Sequence, residues 1–241
     1  SLDCDKRKLK RFSMHGGASL AAVWDTLMLT RGDIENYRMA CVNNWQKSYH
    51  ARICSPNDVN KVFDHFKELL AGKKAHAYSS PVGASNSNDL FQWIHKYKRK
   101  TILLSLSSSD ERIAIESSGI RESHTSDKFV FPSQYDLIHF LIDKVKTNLN
   151  IQLIIRVHPR EFPNKRENKL SSNAVKLKKA LSNLPNNVLV NWPEDNVSYY
   201  DLIHHVDLVL SAWSTTLLEA SLFGCPIVLP YNPTQYYDVV A

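Results

Sequence analysis

From residue 100 onward the chain alternates between short runs rich in isoleucine, leucine and valine and longer amphipathic segments. Runs of this kind suit strands that are buried on both faces, and the segments between them have helical spacing. The alternation predicts an α/β fold built on a doubly wound, five-stranded parallel sheet. The predicted strands are residues 102–106, 152–157, 188–191, 208–210 and 226–229. The predicted helices are residues 133–148, 171–184, 199–205 and 214–223, and Gly224 ends the last of them.

Residues 1–100 have a different pattern, which predicts a helical region with no strand before residue 101. Helices are predicted over residues 18–29, 33–51 and 88–98. A further helix begins after Ser55, with Pro56 first and Asp58 at the third position, and ends at Gly72. Residues 79–88 are rich in serine, proline, glycine and asparagine and form the best linker candidate. We therefore divide the chain into a helical region, residues 1–100, and an α/β domain, residues 101–241.

Composition excludes several classes of protein. The 241 residues are 43% hydrophobic and 22% charged, which is unlike a disordered chain, a collagen or a coiled coil. The longest nearly apolar stretch, residues 18–29, contains Asp25 and falls short of the ~20 residues that a membrane span needs. The four cysteines are scattered and form no CxxC pair, so we expect reduced thiols in a cytoplasmic protein. Neither GxGxxG nor a Walker A motif is present.

The charge is unevenly distributed along the chain. Lysine and arginine outnumber aspartate and glutamate by 30 to 24, yet residues 181–241 contain no basic residue. The basic runs, residues 6–11, 96–100 and 156–179, are compatible with a solvated face or with an anionic partner. That partner would be nucleic acid, an acidic membrane surface or a phosphorylated substrate. The run 156–179 contains a single aromatic residue, Phe162, which favours a small phosphorylated ligand over nucleic acid.

Polar side chains follow the predicted strands at the ends where open α/β sheets bind ligands. Hydroxyl groups follow the first and fourth strands, and an Arg-Val-His-Pro-Arg segment ends the second. Because the carboxyl ends of parallel strands share one edge, these groups predict a binding site there. The candidate residues are Ser107, Ser108, Arg156, His158, Pro159, Arg160, Ser211, Ser214, Thr215, Thr216 and Glu219.

Each candidate group also has a structural interpretation. Hydroxyls that begin a helix commonly bind phosphate, but Thr216 and Glu219 also fit a capping box. An arginine at the end of a buried strand needs a partner, and a ligand phosphate is one candidate for Arg156. His158 either projects into the crevice or is a core histidine bonded to backbone. Ser107 and Ser108 either bind ligand hydroxyls or belong to a segment that Asp110 and Glu111 cap.

Sequence features that would indicate a metal are weak. Asp3-Cys4-Asp5 has the form of a DxD motif, but it lies next to a basic run, and we interpret it as a coincidence. No spacing of histidine, cysteine, aspartate and glutamate suggests a structural metal. We therefore expect that the protein has no cofactor and that its ligand binds without a metal ion. We assign no chemistry to Glu194 and Asp195, because acidic residues are common in turns after proline.

An ordered set of motifs resembles the nucleotide-binding half of GT-B glycosyltransferases, in particular those of bacterial capsule and surface polysaccharide synthesis. It is also similar to Kdo- and sialyltransferases that use CMP-sugars. The motifs are Arg156-Val-His158-Pro159-Arg-Glu161, Ser198-Tyr-Tyr-Asp201, Asp207-Leu-Val-Leu-Ser211, Ser214-Thr-Thr-Leu-Leu-Glu219 and Gly224-Cys-Pro226. The resemblance covers residues 100–241 and implies a Rossmann-like domain. In that family an HP motif, here His158-Pro159, and a Ser/Thr motif, here Ser214-Thr215-Thr216, hold the nucleotide phosphate.

The resemblance implies a glycosyltransferase that takes a CMP- or UDP-linked sugar and transfers it to a polysaccharide or glycolipid acceptor. It implies a cytoplasmic protein with peripheral contact at the inner face of the membrane, and no nucleic-acid partner. His158 is then the catalytic candidate, and Glu219 is placed to reach ribose hydroxyls. A first Rossmann-like domain and the acid-acid-Gly motif of sialyltransferases are not found, so we expect a fragment that carries the donor site and is inactive alone. The alternatives are a CDP-glycerol-type phosphotransferase and a non-catalytic GT-B-like binding module.

Overall fold

A computed structural model describes residues 53–73, 79–83, 88–110, 130–164, 167–211 and 216–230, the segments 12–16 and 27–31, and the single residues 7, 10, 43, 47 and 214. The strands are β1 Phe12–Gly16, β2 Leu27–Arg31, β3 Lys100–Ser105, β4 Ile151–Arg156, β5 Val188–Asn191, β6 Leu208–Ser211 and β7 Ile227–Val228. The helices are α1 Pro56–Leu70, α2 Asn88–Lys96, α3 Gln134–Lys146, α4 Ser172–Ala180, α5 Tyr199–Ile203 and α6 Thr216–Leu222.

The five strands from β3 to β7 form one parallel sheet with the order β5-β4-β3-β6-β7. The chain moves outward in one direction from β3 to β5, crosses back to β6 and continues to β7. Such a reversal of strand order opens a crevice at the carboxyl ends of the two central strands, which are β3 and β6 here. The predicted fold class, a doubly wound five-stranded α/β sheet, is confirmed.

Apolar side chains cover both faces of this sheet, because alternate residues of each strand point to opposite sides. On one face Leu104 and Ile155 pack against α3 and α4. On the other face Leu103 and Ile154 belong to a cluster that includes residues of α1, α2, α5 and α6. The members of this second cluster from α1 and α2 are Leu69, Leu90 and Ile94. The helices that precede residue 100 therefore share a core with the sheet.

Local signals placed α1 correctly. The hydroxyl of Ser55 accepts the amide hydrogen bond of Asp58, and the Asp58 side chain bonds back to the Ser55 amide. After the helix, Gly72 has φ +68°, and a Cβ atom there would lie 2.8 Å from a side-chain carbon of Pro81. Glycine thus satisfies both the left-handed backbone and the close approach of Pro81.

The prediction that no strand precedes residue 101 is wrong. The strands β1 and β2 pair in antiparallel register from Phe12↔Arg31 to Gly16↔Leu27, and β3 begins at Lys100. The helix predicted over 18–29 is therefore wrong at residues 27–29, and its other residues lie outside the described ones. Pairing with a partner strand overrides the helical spacing of this segment, because the backbone hydrogen bonds of a strand depend on a distant segment. In the predicted helix 33–51, only Asn43 and Lys47 are described, and both are helical.

Candidate functional site

Four polar residues end the four strands at the carboxyl edge of the sheet, and they stand side by side. The register pairs Asn191 with Arg156, Arg156 with Ser105, and Ser105 with Ser211. Paired residues of parallel strands project to the same face, so the row lies on the face that α5 and α6 cover. The Ser211 hydroxyl is fully buried and has no hydrogen-bond partner among the described residues. This row, Asn191–Arg156–Ser105–Ser211, forms the floor of the crevice.

Arg156 is the only cation of this row, and its partners are neutral. Its guanidinium donates one hydrogen bond to the side-chain oxygen of Asn191 and another, at 3.1 Å, to the carbonyl oxygen of Val197. The ring of Tyr199 lies 5.8 Å from the guanidinium carbon. Burial lowers the pKa of Arg156 to about 10. Within the described part of the chain no carboxylate forms an ion pair with it, so its charge is available to an anion.

A small recess with a volume of about 40 Å³ opens beside Arg156 and is called the Arg156 recess below. Its lining residues are Ser80, Arg156, Val157, Pro159, Asn191, Trp192, Pro193, Asn196 and Val197. The recess thus combines one cation with amide and hydroxyl groups, a set of donors that suits a phosphate or another oxyanion.

Part of the predicted linker forms one wall of the Arg156 recess. The Ser80 hydroxyl donates a hydrogen bond of 2.5 Å to the side chain of Asn196. The Ser79 hydroxyl accepts the amide hydrogen of Tyr199 at 2.7 Å, and the Gly83 amide donates to the carboxylate of Asp201 at 3.0 Å. Sequence reasoning missed this role, because a Ser/Pro/Gly-rich segment indicates a loop without indicating what the loop contacts.

His158 lies two residues after the end of β4 and caps a 3-10 turn, Pro159–Glu161. Its Nδ1 accepts the amide hydrogen of Arg160 at 3.2 Å, which leaves the proton of the neutral ring on Nε2. Burial, followed by the charge of Arg160, lowers the pKa of His158 to about 4. At neutral pH the ring is therefore uncharged in the unliganded protein and suits hydrogen-bond donation from Nε2 rather than an ion pair.

The candidates Ser107, Ser108 and Arg160 form hydrogen bonds within the protein. The Ser107 amide donates to the side-chain oxygen of Gln134 at 2.8 Å. Asp110 accepts a hydrogen bond from the Ser108 hydroxyl and forms an ion pair with Arg160. Arg160 therefore resembles an arginine that joins two loops, in contrast to Arg156 with its neutral partners. Glu111 lies outside the described residues.

A buried glutamate that sequence reasoning did not single out connects the loops after β3 and β4. The carboxylate of Glu161 is 1% exposed and accepts the Ser109 amide at 2.7 Å. It also accepts the hydroxyls of Ser109 and Ser171, and Ser171 caps α4. A buried carboxylate needs several donors, and here three donors come from two segments, the loop after β3 and the start of α4. Nothing in the local sequence distinguishes Glu161 from a surface glutamate.

The segment before α6 has a capping arrangement different from the capping box that the sequence offered as an alternative. The Ser214 hydroxyl accepts the amide of Thr216 at 3.2 Å and its hydroxyl at 2.8 Å. Glu219 instead accepts the hydroxyl of Tyr200 at 3.0 Å, and the Tyr199 hydroxyl donates to the Thr216 carbonyl oxygen at 2.7 Å. Burial raises the pKa of Glu219 to about 7. The candidate Thr215 lies outside the described residues.

The carboxyl edge thus contains two connected groups of the candidates. Arg156, the Arg156 recess and the start of α6 are joined through Tyr199, which contacts both Arg156 and Thr216. Ser107, Ser108 and Arg160 form the other group, around Asp110 and Glu161. Asp195, to which we assigned no chemistry, accepts the Trp192 amide at 2.7 Å and the Asn191 side chain at 3.1 Å. It therefore belongs to the first group through Asn191.

No protein-family model and no curated protein matches the chain at the sequence level. Solved structures to which it is similar include Thermosulfurimonas dismutans KpsC, a beta Kdo 2,7 transferase, at 14% identity and a TM-score of 0.46, over 99% of this chain and 65% of that one. A UDP co-structure of S. aureus MnaA is 16% identical with a TM-score of 0.41, over 74% and 36% of the two chains. The wall teichoic acid polymerase TagF, as its H444N variant, is 16% identical with a TM-score of 0.33, over 61% and 30%.

The chain spans from about a third to about two thirds of the length of these proteins. Similarity at this level concerns the fold and carries no function from them to this chain. In the described part of the chain no helix is long and apolar enough to cross a membrane. Those same residues contain no group of three histidine, cysteine, aspartate or glutamate side chains that would hold a metal ion.

Proposed function

We propose that this chain carries the nucleotide-sugar donor site of a glycosyltransferase in bacterial surface polysaccharide synthesis. The observation that carries the proposal is Arg156, a partly buried cation that has neutral partners and lies beside an open recess at the carboxyl edge of the sheet. Open α/β sheets bind nucleotides at this edge. An oxyanion such as the diphosphate or monophosphate of the donor supplies the missing negative charge.

The chemistry of sugar transfer gives six of the candidate residues a role. When the bond between sugar and phosphate breaks, negative charge develops on the departing nucleotide, and a site that already points donors at this oxygen lowers the barrier. Arg156 supplies the positive charge, and the Nε2 hydrogen of His158 supplies a neutral hydrogen bond. Ser214, Thr215 and Thr216, near the start of α6, contribute hydroxyl donors on the neighbouring side. Glu219 binds ribose in this proposal only if its bond with Tyr200 is rearranged.

The remaining parts of the proposal concern the partners. The acceptor is a polysaccharide or glycolipid, and the protein works in the cytoplasm with peripheral contact at the inner face of the membrane. Because Arg156 can balance phosphate charge, we propose that nucleotide binding requires no divalent ion. The catalytic base lies outside this chain, so transfer requires further protein.

Calorimetric titration with CMP, CDP, UDP and GDP tests the proposal when the affinity of each is compared with that of the corresponding nucleoside. We expect at least one nucleotide to bind about tenfold or more tightly than its nucleoside, which corresponds to one hydrogen bond with a charged group. An excess of EDTA should leave this affinity unchanged. Equal affinity for nucleotide and nucleoside would mean that the phosphate is not recognised, and the proposal would then be wrong. A longer chain that binds nucleotide and still transfers no sugar would point to the binding module instead.

A further inference from the structure

Asn191 stands between a cation and a carboxylate and contacts both. Its side-chain oxygen accepts a hydrogen bond from the guanidinium of Arg156. Its side-chain nitrogen donates to the carboxylate of Asp195 at 3.1 Å, and that same carboxylate oxygen accepts the Trp192 amide at 2.7 Å. Asn191 is 1% exposed, so the amide is fixed with its oxygen toward Arg156 and its nitrogen toward Asp195. No other assignment of the two amide atoms satisfies both neighbours.

This order of groups has an electrostatic consequence. A carboxylate in the place of the Asn191 amide would form an ion pair with Arg156 and neutralise it, and a second anion would then gain little from binding there. The neutral amide holds the guanidinium in a fixed orientation and leaves it without a direct ion pair among the described residues, while the Asp195 carboxylate stabilises its charge only from behind the amide. The carboxylate of Asp195 in turn fixes the amide by accepting its hydrogen bond, and the Asn191 side chain lies between that carboxylate and the guanidinium.

We propose that Asn191 and Asp195 are positioning residues, which orient Arg156 toward the Arg156 recess while they keep its charge free for the phosphate of the ligand. The inference rests on the proposed function, since it requires that Arg156 binds phosphate. It explains why the residue next to Arg156 is an amide, Asn191, and why the carboxylate of Asp195 lies on the far side of that amide. Reversing the two should preserve folding and weaken binding.

The decisive variant exchanges the two side chains, Asn191→Asp together with Asp195→Asn. The exchange keeps the net charge. The new amide can accept the Trp192 amide hydrogen through its oxygen, but because a single oxygen of Asp195 accepts both natural bonds, its side chain must turn to donate to the new carboxylate as well. The exchange variant differs from the natural protein in placing the carboxylate against Arg156. We expect a melting temperature within about 2 °C of the natural one and at least a tenfold loss of affinity for the tightest-binding nucleotide and for pyrophosphate.

Two further variants serve as controls. Asn148→Asp makes the same chemical change at an exposed position before β4, at the other end of the sheet, and should leave the affinity unchanged. Arg156→Gln removes the cation itself and should weaken binding roughly 150-fold whether or not the exchange weakens it. These controls separate a general effect of negative charge from a local one.

The outcomes distinguish the inference from the proposed function. If the exchange variant binds as the natural protein does while Arg156→Gln does not, the inference is wrong and the donor site stands. If Arg156→Gln binds normally, or the natural protein binds none of the probes, both fail together. If the exchange variant does not fold, Asp195→Asn alone decides, since Asp195 is exposed. A threefold or greater loss of affinity in that variant supports the inference, and an unchanged affinity overturns it.

Discussion

The two ends of the parallel sheet differ in the partners that they give to a cation: Lys100 at the amino end is exposed, and Arg156 at the carboxyl end is partly buried. At the amino end Lys100 begins β3, and its ammonium lies 2.7 Å from the carboxylate of Asp207, which also accepts the Thr101 amide at 2.9 Å. The hydrogen bond from Lys100, followed by that from the Thr101 amide, lowers the pKa of Asp207. At the carboxyl end Arg156 ends β4 with an amide and a carbonyl as its partners. At the amino end Lys100 thus has a carboxylate partner, whereas Arg99, which lies on the ring of Tyr97, and Arg156 at the carboxyl end form no ion pair among the described residues.

The same contrast does not extend to neutral groups. At the amino end the Gln152 side chain donates to the Ile94 carbonyl oxygen at 2.7 Å and to the Thr101 hydroxyl at 2.8 Å. Its oxygen, however, is buried without a partner among the described residues, as the Ser211 hydroxyl is at the carboxyl end. Neutral groups therefore do not separate the two ends. What distinguishes Arg156 from Arg99 is its place, because Arg156 lines the Arg156 recess at the carboxyl edge, whereas Arg99 lies on the ring of Tyr97.

The largest effect should come from removing each cation in turn. Arg156→Gln should weaken nucleotide binding by about 3 kcal/mol, roughly 150-fold, because a hydrogen-bonded charge is lost from the phosphate site. Lys100→Gln should leave the affinity unchanged and lower the free energy of unfolding by at most about 1 kcal/mol, as expected for an exposed ion pair. Calorimetry and chemical denaturation of both variants measure the two effects. Equal affinities in the two variants would remove the distinction between the ends of the sheet.

The second prediction concerns pH and two buried groups of the carboxyl edge. Folding raises the pKa of Glu219 from 4.5 to about 7, so its contribution to stability is present below pH 4.5 and is lost as the pH rises through 7. Folding lowers the pKa of His158 from 6.5 to about 4, so its contribution is present above pH 6.5 and is lost as the pH falls through 4. Each amounts to about 3 kcal/mol, and the two oppose each other between pH 4.5 and 6.5.

Substitution of either group should therefore reveal the pH dependence of stability that the other contributes. Glu219→Gln should give a free energy of unfolding that rises with pH between about 4.5 and 6.5, whereas His158→Asn should give one that falls between about 4.5 and 7. Denaturation by urea at four pH values between 4.5 and 7.5 provides the measurement. Parallel profiles for both variants and the natural protein would show that neither group titrates as its burial implies.

The sequence predicted the sheet and α1 well because local signals determine both. Runs of apolar residues predict buried strands wherever they occur, and Ser55, Pro56 and Asp58 determine a helix start from within four residues. It failed for β2, whose partner strand is eleven residues away, because helical spacing at residues 27–29 is compatible with either structure.

The candidate site was predictable in place and less so in detail. Arg156 and His158 stand at the end of a predicted strand, so the sequence placed both at the carboxyl edge of the sheet. The partners that decide their roles come from other strands and loops: Asn191 through the register of β4 with β5, and Ser80 through a loop more than seventy residues earlier. Lateral register is set by the whole sheet, so the pairing of Arg156 with an amide could not be predicted from either segment alone.

A smaller effect should separate the two nitrogens of His158. Asparagine places an acceptor near the position of Nδ1, so His158→Asn keeps the bond from the Arg160 amide and loses the Nε2 donor. We expect it to weaken nucleotide binding by about 1.5 kcal/mol, near tenfold, with little change in melting temperature at pH 7.5. His158→Gln, which extends toward the position of Nε2, should retain affinity and lose part of the stability. The reverse pattern would identify His158 as a structural histidine.

The smallest effect tests whether the hydroxyl that caps α6 serves the fold, the ligand or both. Ser214→Ala removes the acceptor for the amide and hydroxyl of Thr216, which should lower the free energy of unfolding by about 1 kcal/mol. Ser221→Ala is the matched control in the same helix, because the Ser221 hydroxyl bonds only to the carbonyl oxygen of Leu218 among the described residues, and its loss should change stability by less than about 0.5 kcal/mol. If Ser214 also donates to the phosphate, its variant should lose a further three- to tenfold in nucleotide affinity, measured at a temperature where both variants are fully folded. An unchanged affinity would confine Ser214 to capping and leave Arg156 and His158 as the phosphate donors of the crevice.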